Sequence, residues 1–150
     1  MAGVYASKSP LGRLLITVLL TCVAFSALAD EPLQGEDRAA VRVVIDGQIQ
    51  AFRVDDHQSA YSFAAPSVRE AFPTEEMFIT MVRNQYQPLY RPVSYTFGRS
   101  SLDDDEVLQE LLVTDANRQL WQVVYTLVRQ QDKSWKITNV MMLPYKGISA

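Results

Sequence analysis

Leu120-Trp121-Gln122-Val123-Val124-Tyr125-Thr126-Leu127-Val128-Arg129 is the stretch on which the fold turns. Trp121, Val123, Tyr125 and Leu127 alternate with Leu120, Gln122, Val124, Thr126 and Val128, and a period of two is that of a strand. Downstream, Gln131-Asp132-Lys133-Ser134 reads as a turn and Trp135 to Leu143 as a last strand. Upstream, Asp115-Ala116-Asn117-Arg118 is a turn by its Asp and Asn content, and Val107 to Thr114 is the strand before it. Earlier still, Val93, Tyr95 and Phe97 alternate with Ser94, Thr96 and Gly98. Strands linked by short turns predict an antiparallel sheet.

Before Pro88 the period is helical. Val41, Ile45, Ile49 and Phe52, with Val44 beside them, form one apolar stripe over Asp37 to Asp55. Arg38, Arg42, Asp46, Gln50 and Arg53 take the other face, with Arg42 and Asp46 spaced as an i,i+4 ion pair. Gly47 inside this helix marks either a close approach by another element or a tolerated weak point. His57 to Ala64 reads as a second helix, with Ala60, Phe63 and Ala64 inward. Pro66 suits the first turn of a short piece to Ala71. Thr74 is a cap for a helix carrying Met77, Phe78, Met81 and Val82 on its inner side and stopping near Tyr86. Pro88 to Pro92 reads as a stiff connection. The expected fold class is therefore α+β: N-terminal helices on a curved antiparallel sheet of about four strands, a cone-shaped, cystatin-like arrangement whose mouth is a natural pocket.

The N-terminus is an address. Lys8 and Arg13 precede the uncharged run Leu14 to Phe25, and Ser26-Ala27-Leu28-Ala29 places small residues where a signal peptidase cuts. The run is short for a membrane span, which needs about 20 apolar residues. The predicted organisation is a signal peptide over 1–29, a leader over 30–36, one α+β domain over 37–145 and a tail over 146–150. Cleavage after Ala29 by general secretion predicts a periplasmic or secreted protein that meets the membrane only during export. Removing the segment takes away Lys8 and Arg13 but no acid, so the net charge of -3 over 150 residues becomes -5. It also removes Cys22, the one cysteine, which excludes thiol catalysis and disulfides in the mature chain. The acidic balance argues against nucleic acid. The apolar share of 48% is enough for a packed core.

Three groups of residues carry candidate chemistry. Asp55-Asp56-His57 offers paired carboxylates and a proton shuttle, but adjacent helical residues face different ways, and capping the helix junction is the preferred role. Tyr86, Tyr90 and Arg91 offer hydrogen-bond donors and an anion clamp, or else seal the core edge. Trp121 and Tyr125, with Trp135, either line an apolar pocket or fill the core. Asp103-Asp104-Asp105-Glu106 lacks the alternating ligands and glycine of a calcium loop and reads as a solvated turn, so no metal is expected. No nucleophile elbow, dinucleotide fingerprint, phosphate loop or zinc-protease motif occurs, so no cofactor is expected.

Ala51-Phe52-Arg53-Val54-Asp55-Asp56, Ala60-Tyr61-Ser62-Phe63-Ala64-Ala65-Pro66, Met81-Val82-Arg83, Tyr86-Gln87-Pro88-Leu89-Tyr90-Arg91-Pro92 and Trp135-Lys136-Ile137 together resemble a bacterial family of short exported chains, domain of unknown function 4864. The likeness runs from about residue 38 to 143. The cysteine that often follows the terminal Trp-Lys-Ile stretch in that family is absent here, so no role attached to it carries over. The order of helices then strands also resembles the cone-shaped nuclear-transport-factor-2-like fold, which hosts isomerases, dehydratases, hydrolases and pure binding modules alike. The expectation is a non-enzymatic module binding a small apolar or acidic ligand, with Tyr61, Tyr86, Tyr90, Arg91, Trp121 and Tyr125 as contacts, or binding a protein partner. A homodimer through the sheet is a further expectation. The alternative is a small cofactor-free enzyme with Asp55 or Asp56 as base and Tyr90 as donor.

Overall fold

A computed structural model describes residues 31–33 and 35–147. The expected signal segment, two residues of the leader and the last three residues lie outside the described residues. No helix among the described residues is long and apolar enough to cross a membrane.

The chain runs β1 (Glu31–Pro32), α1 (Gly35–Arg53), α2 (His57–Ser62), α3 (Pro66–Ala71), α4 (Glu75–Gln85), α5 (Gln87–Tyr90), then β2 (Ser94–Asp103), β3 (Glu106–Thr114), β4 (Leu120–Arg129) and β5 (Trp135–Pro144). The sheet is antiparallel in the order β1-β2-β3-β4-β5. Four long strands carry it, as the alternation predicts. The two-residue β1 adds an edge within the expected leader, pairing Glu31 with Leu102 and Pro32 with Ser101. So short a strand has no periodicity to betray it.

The long helix α1 lies on the concave face because its stripe fits there. Val41, Ile45 and Ile49 are fully buried against Leu111, Val123 and Leu127 of the sheet. Within the sheet, the register brings Gln109 opposite Tyr125, and Tyr125 opposite Val140. Gln109 is an inward-facing, fully buried amide, a role its polarity hides. Its two Nε2 hydrogens are shared among the carbonyls of Gly98, Arg99 and Glu110, at 3.2, 3.1 and 2.8 Å. It thereby satisfies the backbone of β2 where the register shifts between Phe97 and Ser100.

Gly47 is the site of a close approach. A Cβ there would stand 2.6 Å from the Phe63 ring. Phe63 belongs to the α2–α3 junction, which is tied to β5: Ala65 N donates to Ile137 O at 2.8 Å and Ile137 N to Phe63 O at 2.9 Å. That junction covers part of the free edge of β5.

Several expectations need correction. Arg42 and Asp46 form no ion pair: Arg42 lies over the Phe97 ring, 5.1 Å from its centroid, and Asp46 accepts from the Tyr95 hydroxyl. Met77 is 50% exposed, and α4 instead buries Phe78, Ile79 and Val82. The Thr74 hydroxyl caps the helix, accepting from Met77 N at 3.2 Å, and packing with Phe52, Ala60 and Tyr90 decides its inner face. The Pro88 to Pro92 stretch is not simply an extended connection: Pro88 initiates the single-turn helix α5, since its fixed φ suits a first turn. Strand β2 continues to Asp103, so only Asp104 and Asp105 form the hairpin turn, with Asp104 in the left-handed region.

On the convex face Leu108, Leu112, Leu120, Met141 and Leu143 are each more than a third exposed.

Candidate functional site

Where α1, α3, α4 and α5 spread from β5, the cone holds a cavity of about 180 Å³ that is partly open to solvent. Phe52, Ala64, Phe78, Val82, Leu89 and Ile137 make its apolar wall. Each follows from an element already described: Phe52 ends the α1 stripe, Phe78 and Val82 lie one α4 turn apart, and Ile137 is an inward position of β5. The polar groups of the lining are neutral amides and hydroxyls, with Gln85, Tyr86, Thr138 and Asn139 among them. No charged side chain is among the described residues that line it.

Tyr86 reaches across, its hydroxyl donating to Val140 O at 3.1 Å. Gln48, 3% exposed, donates through Nε2 to Ala60 O at 3.2 Å, fixing α1 to α2. The Ala60 carbonyl can only accept, so the amide orientation is determined. Tyr125 comes from the sheet side and is fully buried. Its hydroxyl finds no hydrogen-bond partner among the described residues. Burial raises its pKa above the ordinary tyrosine value, so it remains a neutral O–H.

A second, separate cluster forms at the end of α1. Asp56 N donates to Ala51 O at 2.9 Å and Asp55 N to Phe52 O at 3.2 Å, the pattern of a helix closed by a left-handed residue. Asp55 holds that position with φ +56°, where glycine is the usual choice. Its carboxylate accepts from the Tyr90 hydroxyl and from Arg91 Nη2, at 2.8 and 2.9 Å to its two oxygens. Arg91 Nη1 also donates to the Phe52 carbonyl. Arg83 Nη2 donates to the Tyr90 hydroxyl at 2.9 Å and stands 3.6 Å from Asp55. His57 Nε2 is 3.3 Å from the same hydroxyl.

The structure thus unites two groups that the sequence presented separately. Asp55, His57, Tyr90 and Arg91 meet, and Arg83 joins them; its place on α4 gives no sequence signal of this. The cluster clamps the end of α1 to α5. Asp56 instead caps α2, accepting from Ser59 N at 3.1 Å.

The Tyr90 hydroxyl, then the Arg91 guanidinium, hold Asp55 down to about 2, from an ordinary 3.8. A depressed folded-state pKa stabilises the fold above the ordinary carboxylate range, and that contribution is lost as pH falls from about 4 to about 2. Asparagine tolerates the left-handed conformation, so Asp55→Asn isolates the charge. At pH 6 the wild type is expected to melt above the variant, and the gap is expected to close by about pH 2. A gap in thermal midpoints that stays constant with pH contradicts this account of the clamp.

Of the six residues expected to contact ligand, Tyr86 and Tyr125 line the cavity. Tyr90 and Arg91 belong to the Asp55 cluster, outside it. Tyr61 supports the wall from behind: its hydroxyl donates to Phe72 O at 2.6 Å and its ring lies 5.4 Å from that of Phe78. Trp121 Nε1 donates to Asp115 Oδ2 at 2.9 Å, and this indole N–H is the main cause holding the Asp115 carboxyl below its usual range. Neither Asp55 nor Asp56 lines the cavity. No group of three or more metal-ligating side chains occurs among the described residues.

The family model for a domain of unknown function, DUF4864, matches residues 34–150. No curated protein matches the chain. A solved NTF-2 like protein of unknown function from Silicibacter pomeroyi DSS-3 is similar in structure, with a TM-score of 0.52 at 14% identity, over 73% of this chain and 97% of its own. At that identity the likeness concerns the fold, helices on an antiparallel sheet as in NTF-2-like proteins. With 34–150 matched by its model, the chain belongs to the DUF4864 family.

Proposed function

We propose that this protein is an exported binding module whose cone takes up a small, neutral, largely apolar ligand. The observation that carries the proposal is the cavity of about 180 Å³ with an apolar wall and a neutral polar lining. An engineered apolar cavity of about 150 Å³ holds benzene, so the volume suits a ligand of ring size rather than a drug-sized one. An acidic ligand is less well served, because Arg91 is engaged with Asp55 outside the cavity and a buried charge needs a partner.

Catalysis by a carboxylate base has less to support it. Asp55 sits outside the cavity, bound by Tyr90 and Arg91 and held near 2, which makes it a weak base at neutral pH. Thermal unfolding of the mature chain against rising benzene or toluene tests the proposal. At about ten times Kd, a ligand that binds only the folded state adds about 1.4 kcal/mol. A concentration-dependent rise in the midpoint is expected, and an unchanged midpoint up to the solubility limit contradicts it.

A further inference from the structure

The mouth of the cavity lies between the end of α4 and the open edge of β5, since Gln85 and Asn139 are the exposed residues of its lining. Together with Tyr86 and Val140 they also line an outer hollow of about 380 Å³, so the two spaces adjoin there. No charged side chain lines either space among the described residues.

A β-bulge decides which backbone groups face that mouth. Thr126 pairs with Asn139 and Leu127 with Ile137, which leaves Thr138 as an extra residue in β5. Before it, Ile137 turns its N–H and C=O off the edge, the first donating to Phe63 O and the second accepting from Ala65 N. Regular alternation would turn out Asn139 next. The extra residue passes that place to Val140, whose carbonyl accepts from the Tyr86 hydroxyl at 3.1 Å. The N–H and C=O of one strand residue point the same way, so the Val140 N–H also leaves the edge beside Tyr86. No backbone acceptor outside the sheet meets it among the described residues. On the other side of the mouth α4 ends at Gln85, and a helix C-terminus carries unpaired carbonyls and a partial negative charge. The mouth thus sets a hydrogen-bond donor on the β5 side against a negative helix end.

We infer that the cone selects ring compounds bearing a neutral carboxamide, with the ring inside and the amide at the mouth. The amide carbonyl accepts from the Val140 N–H, and the amide N–H points toward the end of α4. The inference rests on the cavity being the binding site. A carboxylate of the same shape meets the negative helix end with no cation to pair it.

Benzamide and α-methylstyrene, which has CH2 and CH3 in place of the oxygen and NH2, form the test on residues 30–150. Saturating benzamide is expected to move the Val140 amide proton downfield and to slow its exchange about fivefold more than saturating α-methylstyrene does. Met142, which does not line the cavity, supplies the control, and its amide is expected to respond alike to both compounds. If α-methylstyrene binds and Val140 responds equally to the two, or if benzamide does not bind, the inference falls and the cavity stands as an unselective apolar site. If neither compound binds, the cavity proposal itself falls. Val140→Pro removes the donor where proline is tolerated, at an edge N–H facing away from the ladder. In it benzamide is expected to weaken about three- to tenfold while α-methylstyrene stays within about twofold. Equal weakening of both makes Val140 only a part of the wall and overturns the inference. So does benzoate binding wild type more tightly than benzamide, where binding about tenfold weaker is expected.

Discussion

Truncating Ile49 to alanine is expected to lower the thermal midpoint by roughly 8–20 °C. Ile49 is 0% exposed, at the centre of the α1 stripe where helix meets sheet. Removing a buried isoleucine side chain to the β-carbon costs about 2–5 kcal/mol, the transfer term plus the cavity left behind. For a domain of this size each kcal/mol moves the midpoint by about 4 °C. Val43, 69% exposed on the same helix, supplies the control, and its alanine variant is expected to stay within about 0.5 kcal/mol of wild type. Circular dichroism melts of both check the account. Equal small shifts would mean that α1 does not cover the sheet in this register.

Replacing Val68 with tryptophan is expected to abolish the ligand-dependent rise in midpoint while leaving the unliganded protein folded. Val68 is half-buried on the short helix α3 and lines the cavity. From there an indole can turn inward without displacing α1 or the sheet. An indole is larger than the benzene that a cavity of about 150 Å³ accommodates, so it takes up most of the space available. The stabilisation expected at ten times the wild-type Kd, about 1.4 kcal/mol, should fall to near zero. The midpoint without ligand should stay level or rise, because the new ring buries apolar surface. Retained ligand response in a folded Val68→Trp variant would place binding somewhere other than the cone.

The sheet was legible because its signal is local. Alternation along β4 and β5, with Asp- and Asn-rich turns between, predicts strand, register face and hairpin together. The same holds for α1, whose stripe of Val41, Ile45, Ile49 and Phe52 is buried as expected. Where prediction failed, a tertiary contact decided the outcome. Arg42 and Asp46 have the right spacing for an ion pair, yet Phe97 and Tyr95 of β2 draw them apart. Met77 has the hydrophobicity of a core residue, but Phe78, Ile79 and Val82 pack with Phe52, Ala60 and Tyr90, which leaves Met77 on the outer side of α4.

The site was legible in part, for the same reason. Tyr86 and Tyr125 could be named as pocket residues because aromatics on inward positions must face the interior. The separation of the Asp55 cluster from the cavity could not be read. It depends on α5 returning Tyr90 and Arg91 to the end of α1, a contact between residues some 35 positions apart in sequence. Gln48 and Gln109 carry no signal at all: a glutamine on a stripe or strand looks like a surface residue until its carbonyl partners are known. The Asp55 conformation sharpens the point. A helix end that calls for glycine carries aspartate, and the clamp on Tyr90 and Arg91 is what the carboxylate provides in return.

The central claim is that the cone is hollow and accessible, and diffraction from crystals of residues 30–150 under xenon pressure tests it most directly. Xenon enters dry apolar cavities of this size. The account predicts an anomalous peak bounded by Phe52, Phe78, Val82 and Ile137, and no such peak in crystals of the Val68→Trp variant. Well-ordered wild-type crystals with side chains closed over that space and no xenon among these four residues would contradict it.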